Sequence, residues 1–174
     1  VLTTPTAGTI TEDSDASTTT TSNLSGTLSA SDADGDTLTY GIADVTATDG
    51  ISTLASTYGS LSVHASKGSY FYPPNSSAVE ALDSGDFKSD SFSVTATDGI
   101  ETTTATYSVN LTGANDSSII TATSTGSLTE DSGTTTTSGS IAIADVDDDD
   151  SPSFPDVSST DSDNGYGSFS LSSG

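Results

Sequence analysis

The residues of this chain best suited to chemistry are aspartates in one short loop. Asp32, Asp34 and Asp36 alternate with alanine and glycine. Calcium binds about 6–8 hard oxygens at about 2.3–2.6 Å, and three carboxylates at alternate positions of one turn can supply several of them. The loop is not an EF-hand, because its glycine is the fourth residue and Ala43 stands where a bidentate glutamate belongs. The spacing leaves two interpretations open: a calcium loop and an ordinary solvated Asp/Gly turn.

Groups for catalysis are scarce. His64 is the one histidine, and the alternation of its strand places it on the outward face. The chain has no cysteine and no arginine, so Lys67 and Lys88 are the only cationic side chains for an oxyanion or phosphate site. A carboxylate pair acting on glycosides remains open, although a chain without tryptophan offers little aromatic platform for a sugar. We therefore predict that the protein is not an enzyme.

The net charge of −23 excludes several kinds of partner. Two lysines cannot form the basic surface of a nucleic-acid binder, and an anionic membrane would repel the chain. We expect no membrane insertion, since no apolar run approaches the roughly 20 residues that span a bilayer. The absence of Cys, Met and Trp suits a long-lived extracellular protein. General acidity also favours solubility in salt water, which is compatible with calcium binding.

The elements that must position these acids are strands. Apolar and hydroxyl residues alternate from Ser91 to Thr97 and from Thr106 to Thr112, with the turn pair Asp98-Gly99 between them. Period-two alternation is typical of half-buried antiparallel strands. About seven such strands fall in the first 116 residues, as in an immunoglobulin-like sandwich. Only the segment 78–82 shows helical spacing, so we predict an all-β fold.

The chain also repeats itself. Three blocks recur in the same order, at offsets of 118, 113 and 108 residues: Gly8–Ser14 at Gly126–Ser132, Ser25–Leu28 at Ser138–Ile141, and Tyr58–Leu61 at Tyr166–Phe169. A drift of five residues between blocks indicates a tandem repeat with shortened loops. We predict a complete first β-sandwich repeat at 1–116 and the N-terminal half of a second at 117–174. Either the chain is cut from a longer array, or another copy completes its open edge.

These blocks resemble the VCBS family of cadherin-like and immunoglobulin-like repeats, which occur in tandem in large secreted adhesins of the RTX type. The resemblance covers nearly all of residues 8–116 and rests on six blocks in order: Glu12-Asp13, Ser25–Leu28 with Asp32–Asp36, Tyr58–Leu61, Gly68–Pro73, Phe92–Gly99 and Leu111–Asp116. Two departures stand out. Ser69 lies where the family usually has Trp or Phe, and the second acidic loop, Asp145–Asp150, lacks the glycine.

The resemblance implies calcium at the repeat boundaries. By analogy, junction ligands in the first copy are Glu12, Asp98, Asn115 and Asp116, with Asp32, Asp34 and Asp36 as loop ligands. In the second copy, Glu130, Asp131, Asp145 and Asp147 take the equivalent roles. The implied function is a calcium-stiffened, non-catalytic extender of an extracellular cell-surface adhesin, serving attachment or biofilm formation. Its partners would be adjacent repeats of the same chain or other copies of itself. The alternative is the protomer of an extracellular filament or surface layer assembled by β-strand complementation.

Overall fold

The computed structural model describes residues 1–15, 22–123 and 126–173, and nearly all of its regular structure is β. The predicted all-β fold is therefore confirmed. The first part of the chain contains eight strands and one short helix, in chain order β1 (Gly8–Thr11), β2 (Leu24–Thr27), β3 (Thr39–Ile42), β4 (Ile51–Ala55), β5 (Ser60–His64), β6 (Ser69–Tyr72), α1 (Ser76–Val79), β7 (Phe87–Thr97) and β8 (Thr102–Thr112). No helix in the described ranges is long and apolar enough to cross a membrane.

These eight strands form two four-stranded sheets, with orders β1-β8-β7-β3 and β2-β6-β5-β4. The longest pairing joins β7 and β8 from Phe87↔Thr112 to Thr97↔Thr102. The predicted turn at Asp98-Gly99 connects them, and Gly99 adopts a φ of 94°, which glycine tolerates best. Strand β1 runs parallel to β8, while the other pairings are antiparallel.

The core lies between the two sheets. Alternate residues of β7 and β8 face inward and are buried, because successive side chains of a strand point to opposite faces. Across the core, the ring of Tyr72 on β6 meets Phe92 on β7 edge-on at 5.9 Å, and Tyr70 meets Tyr107 at 4.8 Å. Hydroxyl residues cover the outward positions, which explains how a chain with 30% hydrophobic residues still builds a closed core.

The second part of the chain contains two hairpins. The first pairs β9 (Ile119–Thr123) with β10 (Ser140–Ala144), and the second pairs β11 (Val157–Asp161) with β12 (Ser168–Leu171). Each hairpin is a separate two-stranded sheet. Several of their apolar side chains are open to solvent, among them Ile120 and Phe169, which are 60% and 56% exposed.

Candidate metal centre

Glu12 is held at the end of strand β1. Its backbone N–H donates to the carbonyl of Thr112 at 3.0 Å and so continues the parallel pairing of β1 with β8. Its Oε2 accepts a hydrogen bond from the N–H of Ala114 at 2.8 Å. The side chain is only 5% exposed. The two strands therefore aim this carboxylate at the segment that follows β8.

Asp116 lies in that segment, between the first and second parts of the chain. The approach depends on Gly113, because a Cβ there would collide with the carbonyl oxygen of Asp83 and the side chain of Leu82. With glycine, the chain can run directly against the loop after α1. Asp116 arrives 1% exposed, and its N–H donates to Oδ2 of Asp147 at 2.9 Å.

Asp147 comes from the acidic loop after β10. Its N–H donates to Oδ1 of Asp145 at 3.2 Å, and the hydroxyl of Ser118 donates to Oδ2 of Asp145 at 2.7 Å. These two donors lower the pKa of Asp145, because they stabilise its ionised form. Asp145 thus orients the loop, while Asp147 turns inward and is 4% exposed.

Glu12, Asp116 and Asp147 together form a buried carboxylate cluster in which one oxygen of each side chain lies within 4.8 Å of the others. Four of their oxygens have no hydrogen-bond partner: Oε1 of Glu12, both Oδ atoms of Asp116 and Oδ1 of Asp147. Buried polar groups normally have partners, and unpaired buried charges are strongly unfavourable. A cation bound to these oxygens would satisfy them.

The pKa values of the cluster also show that its ionised carboxylates are unfavourable in this buried position. Burial raises the pKa of Glu12 to about 7, against the lowering effect of the Ala114 hydrogen bond, and the charges of Asp116, Glu80 and Asp147 raise it further. The pKa of Asp116 is also raised, first by burial and then by Asp147 and Glu80. The salt bridge of Lys88 joins Asp86, which is not part of the cluster.

A second acidic group shares Asp147 and combines it with Asp83 and Asp150. The acidic loop docks here on the first sandwich, since the N–H of Asp148 donates to the carbonyl of Ala81 at 3.3 Å. Partial desolvation and the charges of Asp149, Asp147 and Asp86 raise the pKa of Asp83. Asp83 and Asp150 are more exposed than the buried carboxylate cluster, so water competes with a cation more easily there.

The donor set of the buried carboxylate cluster fits calcium. Its ligand atoms are hard carboxylate oxygens from three separate segments, and hard oxygens are what Ca²⁺ prefers. The unpartnered oxygens are the atoms that ligation would satisfy. Glu12, Asp116 and Asp147 could thus hold a divalent cation.

Other predicted ligands lie elsewhere. Oδ1 of Asp32 accepts hydrogen bonds from the N–H groups of Asp34 and Asp36 at 2.9 and 3.2 Å, as in an Asx-type turn. These three carboxylates belong to neither acidic group found among the described residues. Asp98 accepts from the N–H groups of Ile100 and Glu101 at the tip of the β7–β8 hairpin, which lowers its pKa. Because a strand extends by about 3.3 Å per residue, Asp98 at the hairpin tip lies about 33 Å from the other end of β8, which leads to Asp116.

Asn115 adjoins the buried carboxylate cluster but turns its amide Nδ2 to the carbonyl of Asp116. Glu130 and Asp131, the repeat equivalents of Glu12 and Asp13, are exposed in a turn, and Asp131 has a φ of 62°. Glu12 is buried because β8 and Asp116 surround it. No strand equivalent to β8 lies beside Glu130 in the described ranges, so its carboxylate stays in solvent.

Three acids near this centre were not predicted. Glu80, which is 7% exposed, and Asp83 follow the short helix α1, and Asp150 ends the acidic loop. The run of four aspartates from Asp147 signals a high charge density. No local pattern shows that the α1 loop packs against it, because that contact depends on tertiary structure.

The comparisons with known proteins agree with this architecture. The model of the bacterial cadherin-like domain family matches residues 1–113. The search of curated proteins found no match. Cadherin-like domains are typically non-catalytic structural modules that generally bind Ca²⁺. The match covers well over half of the length of this chain, so the chain belongs to the bacterial cadherin-like domain family.

Proposed function

We propose that this chain is a calcium-stiffened extender segment of a large secreted adhesin, and that calcium at Glu12, Asp116 and Asp147 locks its first repeat to the part that follows. Membership of the bacterial cadherin-like domains fits an extracellular adhesin-type repeat. The VCBS-type sequence blocks support the more specific context of a large tandem array. The role is mechanical: it keeps a distal binding domain away from the cell surface.

One observation carries the proposal, namely the burial of three carboxylates without a compensating charge. Glu12 belongs to the first sandwich, Asp116 to the connecting segment and Asp147 to the loop after β10. Like charges packed together out of water repel each other and lose hydration. Without a cation, the repulsion favours separation of the two parts. With a divalent cation, the same oxygens attract one ion and hold the parts together.

The position of the cluster gives ion binding a mechanical consequence. The N–H of Asp116 donates to the carboxylate of Asp147, and on the first sandwich the N–H of Asp148 donates to the carbonyl of Ala81 and that of Asp149 to the carboxylate of Asp83. These contacts alone are few for a rigid connection. An ion that ligates side chains from both sides adds bonds that must break before the junction can bend, so calcium would convert a hinge into a stiff joint.

Calcium titration of the full chain by calorimetry tests the ligand assignment. We expect Asp147→Asn to weaken binding at the tightest site by about tenfold or more, because it removes a charged ligand shared by both acidic groups. Asp148→Asn is the matched control: it removes the same charge one residue away, from an exposed side chain outside both groups. The calcium affinity of Asp148→Asn should stay within about twofold of that of the parent chain. Equal effects of the two variants would contradict the assignment.

Small-angle scattering with calcium and with a chelator tests the mechanical role. Calcium should narrow the distribution of particle lengths of the parent chain. In the Asp116→Ala variant, the distribution in calcium should stay as broad as it is in chelator. If calcium binds with the expected ligand dependence but leaves the scattering unchanged, the site exists and the stiffening function is wrong.

A further inference from the structure

Two identical heptapeptides of the first sandwich adopt different structures. The sequence Val-Thr-Ala-Thr-Asp-Gly-Ile occupies residues 45–51 and again residues 94–100. The second copy forms the end of β7 and the tip of the β7–β8 hairpin, whereas the first copy is the loop that leads into β4. Each copy brings an Asp-Gly pair to the surface, Asp49-Gly50 and Asp98-Gly99. Since their neighbours in sequence are the same, only tertiary structure distinguishes the two pairs.

An Asp-Gly pair can rearrange without an enzyme or a cofactor. The backbone nitrogen of the glycine attacks Cγ of the neutral carboxyl group, the N–Cγ bond forms, and the hydroxyl group leaves as water with the proton of the nitrogen. Water then opens the cyclic imide. Opening at the α-carbonyl leaves glycine bonded to Cγ, which is isoaspartate, and opening at Cγ restores aspartate. Glycine favours the attack because it has no Cβ to obstruct it.

At the β7–β8 tip, hydrogen bonds hold both reacting groups. Oδ1 of Asp98 accepts from the N–H groups of Ile100 and Glu101, at 2.7 Å each. The N–H of Gly99 donates to Oγ1 of Thr97 at 3.1 Å, and this hydroxyl donates to the carbonyl of Glu101 at 2.9 Å. The carboxylate and the nitrogen must both leave these partners before the nitrogen can attack.

The turn at residues 48–51 uses its hydrogen bonds differently. The N–H of Ile51 donates to the carbonyl of Thr48 at 3.0 Å, and the N–H of Thr48 donates to the carbonyl of Ile51 at 2.9 Å. The N–H of Ile51 is therefore not available to Asp49. In the described part of the chain, no group donates a hydrogen bond to the Asp49 carboxylate, and the N–H of Gly50 has no acceptor.

This turn also holds Asp49 in an unfavourable backbone conformation. Its φ is 52°, and the φ of Gly50 is 78°. The left-handed region is unfavourable for residues other than glycine, although aspartate tolerates it better than most. Rearrangement at Asp49 therefore starts from a strained conformation, whereas rearrangement at Asp98 must first break the hydrogen bonds of the tip.

We propose that Asp49 is a site of spontaneous isoaspartate formation in the folded chain, and that the hydrogen bonds of the β7–β8 tip protect Asp98 from the same reaction. The reaction needs only water, to which the side chain of Asp49 is open. A third pair, Asp34-Gly35, has different neighbours in sequence and so offers no matched partner.

The rearrangement has a structural consequence. Isoaspartate inserts an extra carbon atom into the backbone between Asp49 and Gly50. The carbonyl of Gly50 accepts from the N–H of Ala65 at 2.8 Å, next to the pairing of β4 with β5. Because β4 is an edge strand of its sheet, nothing on its other side in the sheet order holds it in register. The longer turn would disturb this hydrogen bond and loosen the start of β4.

Ageing of the full chain in neutral buffer tests the proposal. Mass spectrometry with electron-transfer fragmentation distinguishes the two linkages and measures isoaspartate at each position. We expect it to form at Asp49 at least about tenfold faster than at Asp98, because hydrogen bonds to a charged group are worth at least about that factor. In denaturant the two rates should agree within about twofold, because the heptapeptides are identical. Equal rates in the folded chain, no isoaspartate at Asp49, or a tenfold difference that persists in denaturant would overturn the proposal.

Two matched variants test the origin of the protection. Thr97→Val removes the hydroxyl that accepts from Gly99 and should raise the rate at Asp98 by about threefold or more. Thr48→Val makes the same change before Asp49, where the hydroxyl is exposed and accepts nothing from Gly50, and should change the rate at Asp49 by less than about twofold. Equal responses of the two positions would show that the hydrogen bonds of the tip do not protect Asp98.

Discussion

Two buried acids of this molecule have opposite surroundings. Asp90 is 2% exposed in the sandwich, and its carboxylate accepts hydrogen bonds from the hydroxyls of Ser56 and Tyr72, at 2.7 Å each, and from the N–H of Tyr58. Glu12 is equally buried but has one donor and several acidic neighbours. Asp90 is satisfied by protein donors and joins β7 to β6, whereas Oε1 of Glu12 has no hydrogen-bond partner.

Asp90→Asn should destabilise the first sandwich. The amide's NH₂ would face hydroxyl donors, and one buried hydrogen bond would be lost, which costs about 1–3 kcal/mol of unfolding free energy. Urea denaturation measures the loss. Ser91→Asn, on the adjacent outward-facing position, is the control and should change stability by less than about 0.5 kcal/mol. If Asp90→Asn leaves the free energy of unfolding unchanged, the three donors are not important for stability.

The raised pKa of Glu12 predicts a specific pH dependence without calcium. Between its ordinary value of 4.5 and about 7, the folded chain keeps a proton that the unfolded chain has lost. Unfolding then releases a proton, so the stability contributed by this group falls as pH rises through that window and levels off above it. Glu12→Gln should remove this decrease in the free energy of unfolding with rising pH. Chemical denaturation from pH 4 to 8 in the presence of a chelator measures it. Parallel profiles for parent and variant would contradict the burial of Glu12.

At the scale of elements, strand formation in this chain depends on partners. Gly8–Thr11 forms β1 because β8 pairs with it, whereas the equivalent residues 126–129 are not a strand. Ile10 is 2% exposed and its equivalent Leu128 is 53% exposed. Similar sequences therefore adopt different structures, since a short strand requires a neighbour for its hydrogen bonds.

A substitution at Gly113 tests how the segment after β8 packs against the loop that follows α1. Gly113→Ala should cost about 1–3 kcal/mol of stability, because the added methyl group collides with the carbonyl of Asp83 and forces the chain after β8 away from the α1 loop. Calcium affinity should fall as well, since Asp116 moves with this segment. Gly167→Ala is the matched control: a methyl group there meets nothing within 4 Å. Thermal melts of both variants, with and without calcium, give the comparison.

At the scale of the whole molecule, stability should be unequal along the chain. The first part has a closed core of thirteen buried residues, whereas the hairpins of the second part leave Ile120, Leu128 and Phe169 at least half exposed. A set of two-stranded sheets buries too little apolar surface to offset its chain entropy.

Hydrogen exchange read by mass spectrometry should therefore show β10 and β12 exchanging at least about tenfold faster than β7 and β8 in the same sample. The strands of the first sandwich serve as the internal control. Equal protection of both parts would mean that the second part closes by packing that these hairpins do not show.

The sequence by itself determined the fold class, because period-two alternation and turn pairs such as Asp98-Gly99 are local signals. It predicted about seven strands in the first 116 residues, including those that became β7 and β8, and missed β4, whose residues Ile51–Ala55 have only one buried side chain. The repeat offsets also identified equivalent positions, since Ile120 pairs with Ile143 as their equivalents Leu2 and Ala30 pair in the first part.

Tertiary structure alone decided which of the predicted acids meet. Glu12, Asp116 and Asp147 come from three segments, and their burial depends on β8, Gly113 and the loop after β10 packing together. Asp32 also carries a carboxylate, but that carboxylate accepts hydrogen bonds within its own turn. The physical reason is that composition and spacing specify which groups carry charge, whereas desolvation and mutual repulsion arise only when distant parts of the chain exclude water from the same place.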